Sequence, residues 1–207
     1  MTEVATVPLA LDDYVPVVLA GVGALWLART TGRDRAVVGA VLVLAGGLCK
    51  ATWKLLLAVA GDDVPHVDDL LFLLLAPGFA LLAAALLADF RPARAGVVSR
   101  GTDATVVMAV VAALVVQSTV PLLVLTVVAS TATGVLALLA ARRRGDATGA
   151  LLFAVQLVMA YSLVPLAGAG QSLAHQWWEQ SLNTLGQAAF ALGAWRLLHP
   201  SRVRIPA

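Results

Sequence analysis

Along most of the chain, apolar runs of roughly 20 residues alternate with short clusters of charged, Gly and Pro residues, and about 20 residues is what a helix needs to cross a hydrocarbon core. The pattern predicts an all-α membrane protein of seven transmembrane helices, near Asp12 to Ala28, Ala36 to Ala60, Asp68 to Ala88, Ala104 to Val116, Pro121 to Ala141, Ala147 to Gly168 and His175 to Leu198. The fourth is the shortest. It depends on a tight turn at Gln117-Ser118-Thr119; without that turn the count is six and both termini lie on one side.

Charge placement bears on the count independently, because Lys and Arg in short loops tend to stay in the cytoplasm. With seven helices all the arginines share one face: Arg29, Arg33 and Arg35; Arg91, Arg94 and Arg100; Arg142, Arg143 and Arg144; Arg196, Arg202 and Arg204. Glu3, Asp12, Asp13, Asp62, Asp63, Asp68, Asp69 and Glu179 take the other face, while Asp34, Asp89, Asp103 and Asp146 accompany the arginines. The expectation is a multi-pass cell-membrane protein with its N-terminus outside and its C-terminus in the cytoplasm. Only Lys50 and Lys54 break the rule, since they fall inside the second helix.

Composition agrees: 60% of the 207 residues are hydrophobic and 13% charged, against about 25% charged in soluble domains. Residues 1–207 read as one membrane domain without a soluble appendage. Met1 to Leu11 lacks a basic n-region, so the first helix is expected to remain in the mature protein. Cys49 is the only cysteine and excludes an intramolecular disulfide. The net charge of +2 is spread over several loops, which argues against a nucleic-acid partner. Abundant Ala, Val, Leu and Arg with little Lys fits a bacterial or archaeal source rich in GC.

Helices one to three and five to seven read as two copies of one unit. Gly21 stands eight residues before Arg29, and Gly134 eight before Arg142. Gly39-Ala40-Val41-Leu42 opens one second helix and Gly149-Ala150-Leu151-Leu152 the other. Asp68 precedes Phe79-Ala80-Leu81 by eleven residues, as Glu179 precedes Phe190-Ala191-Leu192. Both units run the same way, so they are parallel repeats joined by the fourth helix. This three-plus-one-plus-three plan resembles the transporter, opsin and receptor superfamily, which includes microbial rhodopsins and SWEET sugar transporters; the resemblance implies a ligand site within the bundle. Gln187 stands near the middle of the seventh helix, where a rhodopsin carries its retinal lysine, and no PQ-type proline motif appears. Asp68-Asp69-Leu70-Leu71-Phe72 followed by Pro77 is also similar to the third helix of bacterial membrane sensor regions.

Candidate chemistry starts at the two lysines. An ionised group near mid-membrane costs about 3 kcal/mol on insertion scales, so Lys50, and less strictly Lys54, is expected to face a wet or protein-lined interior. The alternative is snorkelling to the interface. Glu179, Asn183 and Gln187 recur every fourth residue and form a polar stripe on the seventh helix, broadened by Gln180 and Thr184. The stripe is expected to meet the lysines, with Glu179 pairing Lys54, or else to serve only as interhelical glue. Tyr161, Ser162 and Gln156 are placed at the same pocket, and Trp53 beside it; Trp177 and Trp178 fit an interfacial belt.

A weaker constellation, His66, Asp69 and the acids around them with His175 and Glu179, has residue types that bind divalent metals, but acids at a helix start are stabilising without one. Nothing resembles a nucleophile motif or a phosphate loop. Four functions remain: binding or transport of an anionic or carbonyl-bearing small molecule in a pocket open to the outside; a sensor or receptor subunit with a cytoplasmic signalling partner or a homo-oligomeric state; a metal-dependent hydrolase similar in type to the seven-helix ceramidase-like enzymes; and a retinal protein with its Schiff base on Lys50. An enzyme is the less favoured class, and the expected partners are the lipid bilayer and a small molecule.

Overall fold

The computed structural model describes residues 6–60, 70–166 and 172–200, and every regular element among them is helical. In chain order these are α1 (Val7–Asp12), α2 (Tyr14–Thr31), α3 (Asp34–Ala60), α4 (Leu70–Phe90), α5 (Ala95–Val116, entered through a 3-10 turn at Pro92–Arg94), α6 (Val120–Arg143), α7 (Ala147–Leu166) and α8 (Leu173–Leu198).

The expected helices are present, with bounds that differ by up to three residues at most ends and with larger or more informative differences at three of the starts. The first starts earlier, because α1 and α2 together make one apolar stretch of 25 residues, Val7–Thr31, interrupted only at Asp13. Pro16 has no N–H to give the Asp12 carbonyl, which accounts for the interruption. The fourth runs through Ser99, Arg100 and Asp103 instead of starting at Ala104. Those residues are helical because α3 supplies a partner: Arg35 pairs with Asp103 and donates to Ser99. The last starts at Leu173, two residues early, where the Ser172 hydroxyl caps it by accepting the His175 amide at 3.3 Å. The predicted turn forms as expected, with Gln117 left-handed at φ 51° and the Ser118 amide closing on the Ala113 carbonyl.

Among the described residues, five stretches are long and apolar enough to cross a membrane: Val7–Thr31, Asp34–Ala60, Leu70–Phe90, Pro92–Val116 and Val120–Arg143. α7 is apolar over the shorter length Ala147–Leu163. α8 has the length but carries the polar stripe, and that sets it apart from the other helices. The bundle is therefore consistent with a membrane protein.

Six helices close a ring, in which α2 packs on α3, α3 on α4, α4 on α6, α6 on α7, α7 on α8 and α8 on α2. α5 stands outside against α4 and α6 and has no buried residue. Small residues set the close approaches, as is common where helices pack in lipid. A Cβ on Gly39 would lie 2.7 Å from the Gly78 carbonyl oxygen of α4, and one on Gly23 would lie 2.7 Å from the Phe190 ring of α8.

Ion pairs gather the arginine-bearing ends. Arg33 meets Asp89 at 2.9 Å, and Arg196 meets Asp146 at 2.7 Å. Arg144 donates to the Leu197 carbonyl, and the Arg143 guanidinium covers the Phe90 ring at 3.9 Å. Asp146 also caps α7 by accepting the Gly149 amide at 3.0 Å. The hydrogen bond from Arg196 and that cap hold its carboxyl below the ordinary value against the opposing effect of burial. In this half of the bundle Leu27, Leu82, Phe153, Phe190, Ala194 and their neighbours form a continuous apolar core. The other half of the ring is not filled.

A polar cavity at the open end of the ring

The unfilled half is a cavity of about 380 Å³ walled by α2, α3, α4, α7 and α8. Its two sides differ. Asp13 at the α1–α2 junction, Lys50 and Lys54 of α3, and Glu179, Gln180, Asn183 and Gln187 of α8 supply polar groups, whereas Leu71, Leu75 and Phe79 of α4 with Pro16, Val17 and Ala20 of α2 supply hydrocarbon. The difference follows from helix periodicity. Positions 179, 183 and 187 advance by four and stay on one face of α8, and 71, 75 and 79 do the same on α4. Eight residues from Glu179 to Gln187 give the polar wall a depth of about 12 Å at 1.5 Å per residue. Its floor is the apolar core.

The charged groups are organised in pairs. Lys54 Nζ lies 2.8 Å from Asp13 Oδ2, and both side chains are mostly buried, 30% and 13% exposed. Lys50 Nζ stands 4.3 Å from the centre of the Trp53 ring, within cation–π range. Glu179 Oε1 is 3.3 Å from His175 Nε2, one turn away on α8. Gln187 Nε2 donates to Asn183 Oδ1 at 3.4 Å, which leaves the Asn183 amide nitrogen as its group for other contacts. Gln180 is 7% exposed, and among the described residues its Nε2 has no hydrogen-bond partner. Beside the mouth, the Tyr14 hydroxyl is 3.0 Å from Thr52 Oγ1 and ties α2 to α3.

Of the residues singled out from sequence, Lys50, Lys54, Glu179, Asn183 and Gln187 stand together on the cavity wall. Lys54 takes Asp13 as its partner rather than Glu179. Trp53 stands behind Lys50 and is not part of the wall. Tyr161 is elsewhere: its hydroxyl bonds Thr131 Oγ1 at 2.7 Å in a separate cleft between α6 and α7 that also holds Gln156. Tyr161 faces that cleft and not the cavity because it stands two residues from Leu163, the α7 residue on the cavity wall, and two residues turn a helix by about 200°. Ser162 bonds its own helix at the Val158 carbonyl. Trp177 and Trp178 are exposed on α8.

His66 and Asp69 lie outside the described residues, as do Asp62, Asp63 and Asp68. Among the described residues no three His, Cys, Asp or Glu side chains are grouped to hold a metal, and His175 has Glu179 beside it. Sequence reasoning passed over Asp13, placing it only among the acids of the outer face. The signal was present: the apolar stretch begins at Val7, so Asp13 is already inside a span, where an acid needs a partner. No protein-family model, curated protein or solved structure matches this chain.

Proposed function

We propose that this chain is a seven-span cell-membrane protein that binds a small molecule in the cavity, from the outer side, and carries it or reports its presence. The observation that carries the reading is the polar wall itself: ionised side chains and a buried amide with an unused donor gathered in a bundle otherwise built from apolar helices. Such groups are costly in a bilayer and are retained where they serve a pathway or site. The volume of about 380 Å³ falls in the small-molecule range. One-sided arginines orient the cavity mouth outward and the C-terminus inward.

The proposal includes the duplication. Its support is that every packing between neighbours in the ring has a counterpart: α2–α3 with α6–α7, α3–α4 with α7–α8, and α2–α8 with α6–α4. Gly21 faces Leu44 as Gly134 faces Leu157, both partners displaced by 113 positions (134 − 21 and 157 − 44). Each unit also closes its arginine-bearing end with one ion pair between its first loop and its third helix, Arg33–Asp89 in one and Asp146–Arg196, with the signs exchanged, in the other.

Binding is tested by thermal-shift screening of small polar metabolites against wild-type protein in nanodiscs and an Ala20→Phe variant that fills the cavity. Ligands that stabilise wild type but not the variant support the site; stabilisation indifferent to Ala20→Phe refutes it. The sensor reading is favoured by the packed core beneath the cavity, where Leu27, Leu82 and Phe153 are fully buried and leave no path to the arginine-bearing end. Uptake of the ligand into proteoliposomes separates the two: accumulation means transport, and binding without accumulation means sensing.

A further inference from the structure

We propose that a groove between α6 and α7, at the arginine-bearing end of the bundle, holds an anionic phospholipid, its phosphate at Arg142 and the upper part of one acyl chain along the groove. The site shares no residue with the polar cavity and is independent of what the cavity binds. The groove has a volume of about 360 Å³ and is lined by Leu138 and Arg142 of α6 and by Ala147, Ala150, Leu151 and Ala154 of α7. Leu138 and Arg142 are four residues apart, and the α7 residues recur at intervals of three and four, so each helix presents one stripe to the groove. From Ala147 to Ala154 the stripe runs about 10 Å, at 1.5 Å per residue, away from the start of α7. Leu151 is 63% exposed, which places the groove on the surface that meets lipid in a membrane.

Charge selects the occupant. Arg142 is exposed, and among the described residues it makes no hydrogen bond, ion pair or ring contact. Its neighbours are engaged: Arg143 covers the Phe90 ring, Arg144 donates to the Leu197 carbonyl and Arg196 holds Asp146. Among the described residues of α6 to α8 at this end, four arginines stand against one acid, Asp146, and that acid is already bound by Arg196 and the Gly149 amide. A phosphodiester supplies the negative charge and acceptor oxygens that match a guanidinium beside the membrane surface. The apolar stripe does not itself discriminate, because lipid chains are as apolar as the leucines they touch. It fixes where a chain lies and so keeps the headgroup at Arg142. A free phosphate would leave the stripe unused, and a choline headgroup would bring a second cation into a surplus of positive charge.

The test is native mass spectrometry of detergent-solubilised protein titrated with phosphatidylglycerol and phosphatidylcholine of the same acyl chains, for wild type, Arg142→Gln, Arg94→Gln and Ala154→Phe. Arg94 is an exposed arginine at the same end outside the groove, so its variant makes the same charge change elsewhere. The first phosphatidylglycerol is expected to bind about fivefold tighter than phosphatidylcholine, the contribution of one arginine near a membrane surface. Arg142→Gln should remove that preference, Arg94→Gln should keep it, and Ala154→Phe, by filling the groove, should weaken the first binding step of both lipids. Equal losses in Arg142→Gln and Arg94→Gln would mean a diffuse attraction and overturn the site, as would phosphatidylcholine binding as tightly as phosphatidylglycerol. Lipid binding unchanged by Ala154→Phe overturns the placement of the chain. Melting temperatures identify the source of the phosphate: phosphatidylglycerol should stabilise wild type more than Arg142→Gln, and inorganic phosphate should stabilise neither. Equal stabilisation of wild type by inorganic phosphate overturns the lipid assignment. Ala20→Phe, which fills the polar cavity, should leave the lipid preference unchanged, so failure of the cavity reading and failure of this one are told apart.

Discussion

Lys54 and Asp13 meet within a stretch of chain apolar enough to cross a membrane, so each is the condition for burying the other. Lys54→Met alone strands a carboxylate and is expected to cost about 1–2 kcal/mol, a partly buried pair being worth less than a fully buried one. Adding Asp13→Leu should recover most of that loss in a double-mutant cycle of thermal unfolding; additive losses would mean that the two charges are separately solvated. Glycines give a second contrast. Gly39→Val drives a side chain into the Gly78 backbone, which cannot turn aside, and is expected to cost about 2 kcal/mol or more. Gly101→Ala on α5 meets nothing within 4 Å and should be neutral or stabilising by about 0.5–1 kcal/mol. That Lys50, Glu179, Asn183 and Gln187 would come together was legible because polar residues at helical spacing inside apolar runs are most stable facing the bundle interior, and they share one cavity wall. Tyr161 was not, since a tyrosine also settles at a half-exposed position with a single hydroxyl partner, as it does on Thr131.

At the scale of elements, Asp146 joins a helix cap to an ion pair, binding the Gly149 amide and the Arg196 guanidinium together. Because its carboxyl is held below the ordinary value of 3.8, its contribution is present above that value and is lost as pH falls through the lower, folded value. Asp146→Asn is thus expected to lower stability by about 1 kcal/mol at pH 7, and the gap from wild type should narrow towards pH 3. A gap that does not depend on pH would mean that the carboxylate charge contributes nothing. Helix existence was read from apolar runs, but the start of α5 was not, because Arg100 and Asp103 resemble loop residues until α3 is alongside with Arg35. End positions depend on tertiary partners, and a one-dimensional pattern does not contain them.

For the whole molecule, the ring of six helices with α5 outside, packed shut at one end and open at the other, organises everything above. The proposed seven-span topology predicts that a tag after Ala207 is protected in intact cells and a tag before Met1 is accessible; labelling of both from one side contradicts it. The most direct test of the central claim, a water-filled polar cavity entered from the N-terminal side, is thiol labelling in a Cys49→Ala background with Asn183→Cys, Gln187→Cys and, on the exposed face of the same helix, Leu185→Cys. A membrane-impermeant cationic thiosulfonate should modify Asn183→Cys and Gln187→Cys from the outer side only and leave Leu185→Cys unreacted in lipid. Protection of positions 183 and 187 from the reagent, or modification from the cytoplasmic side, would contradict the account.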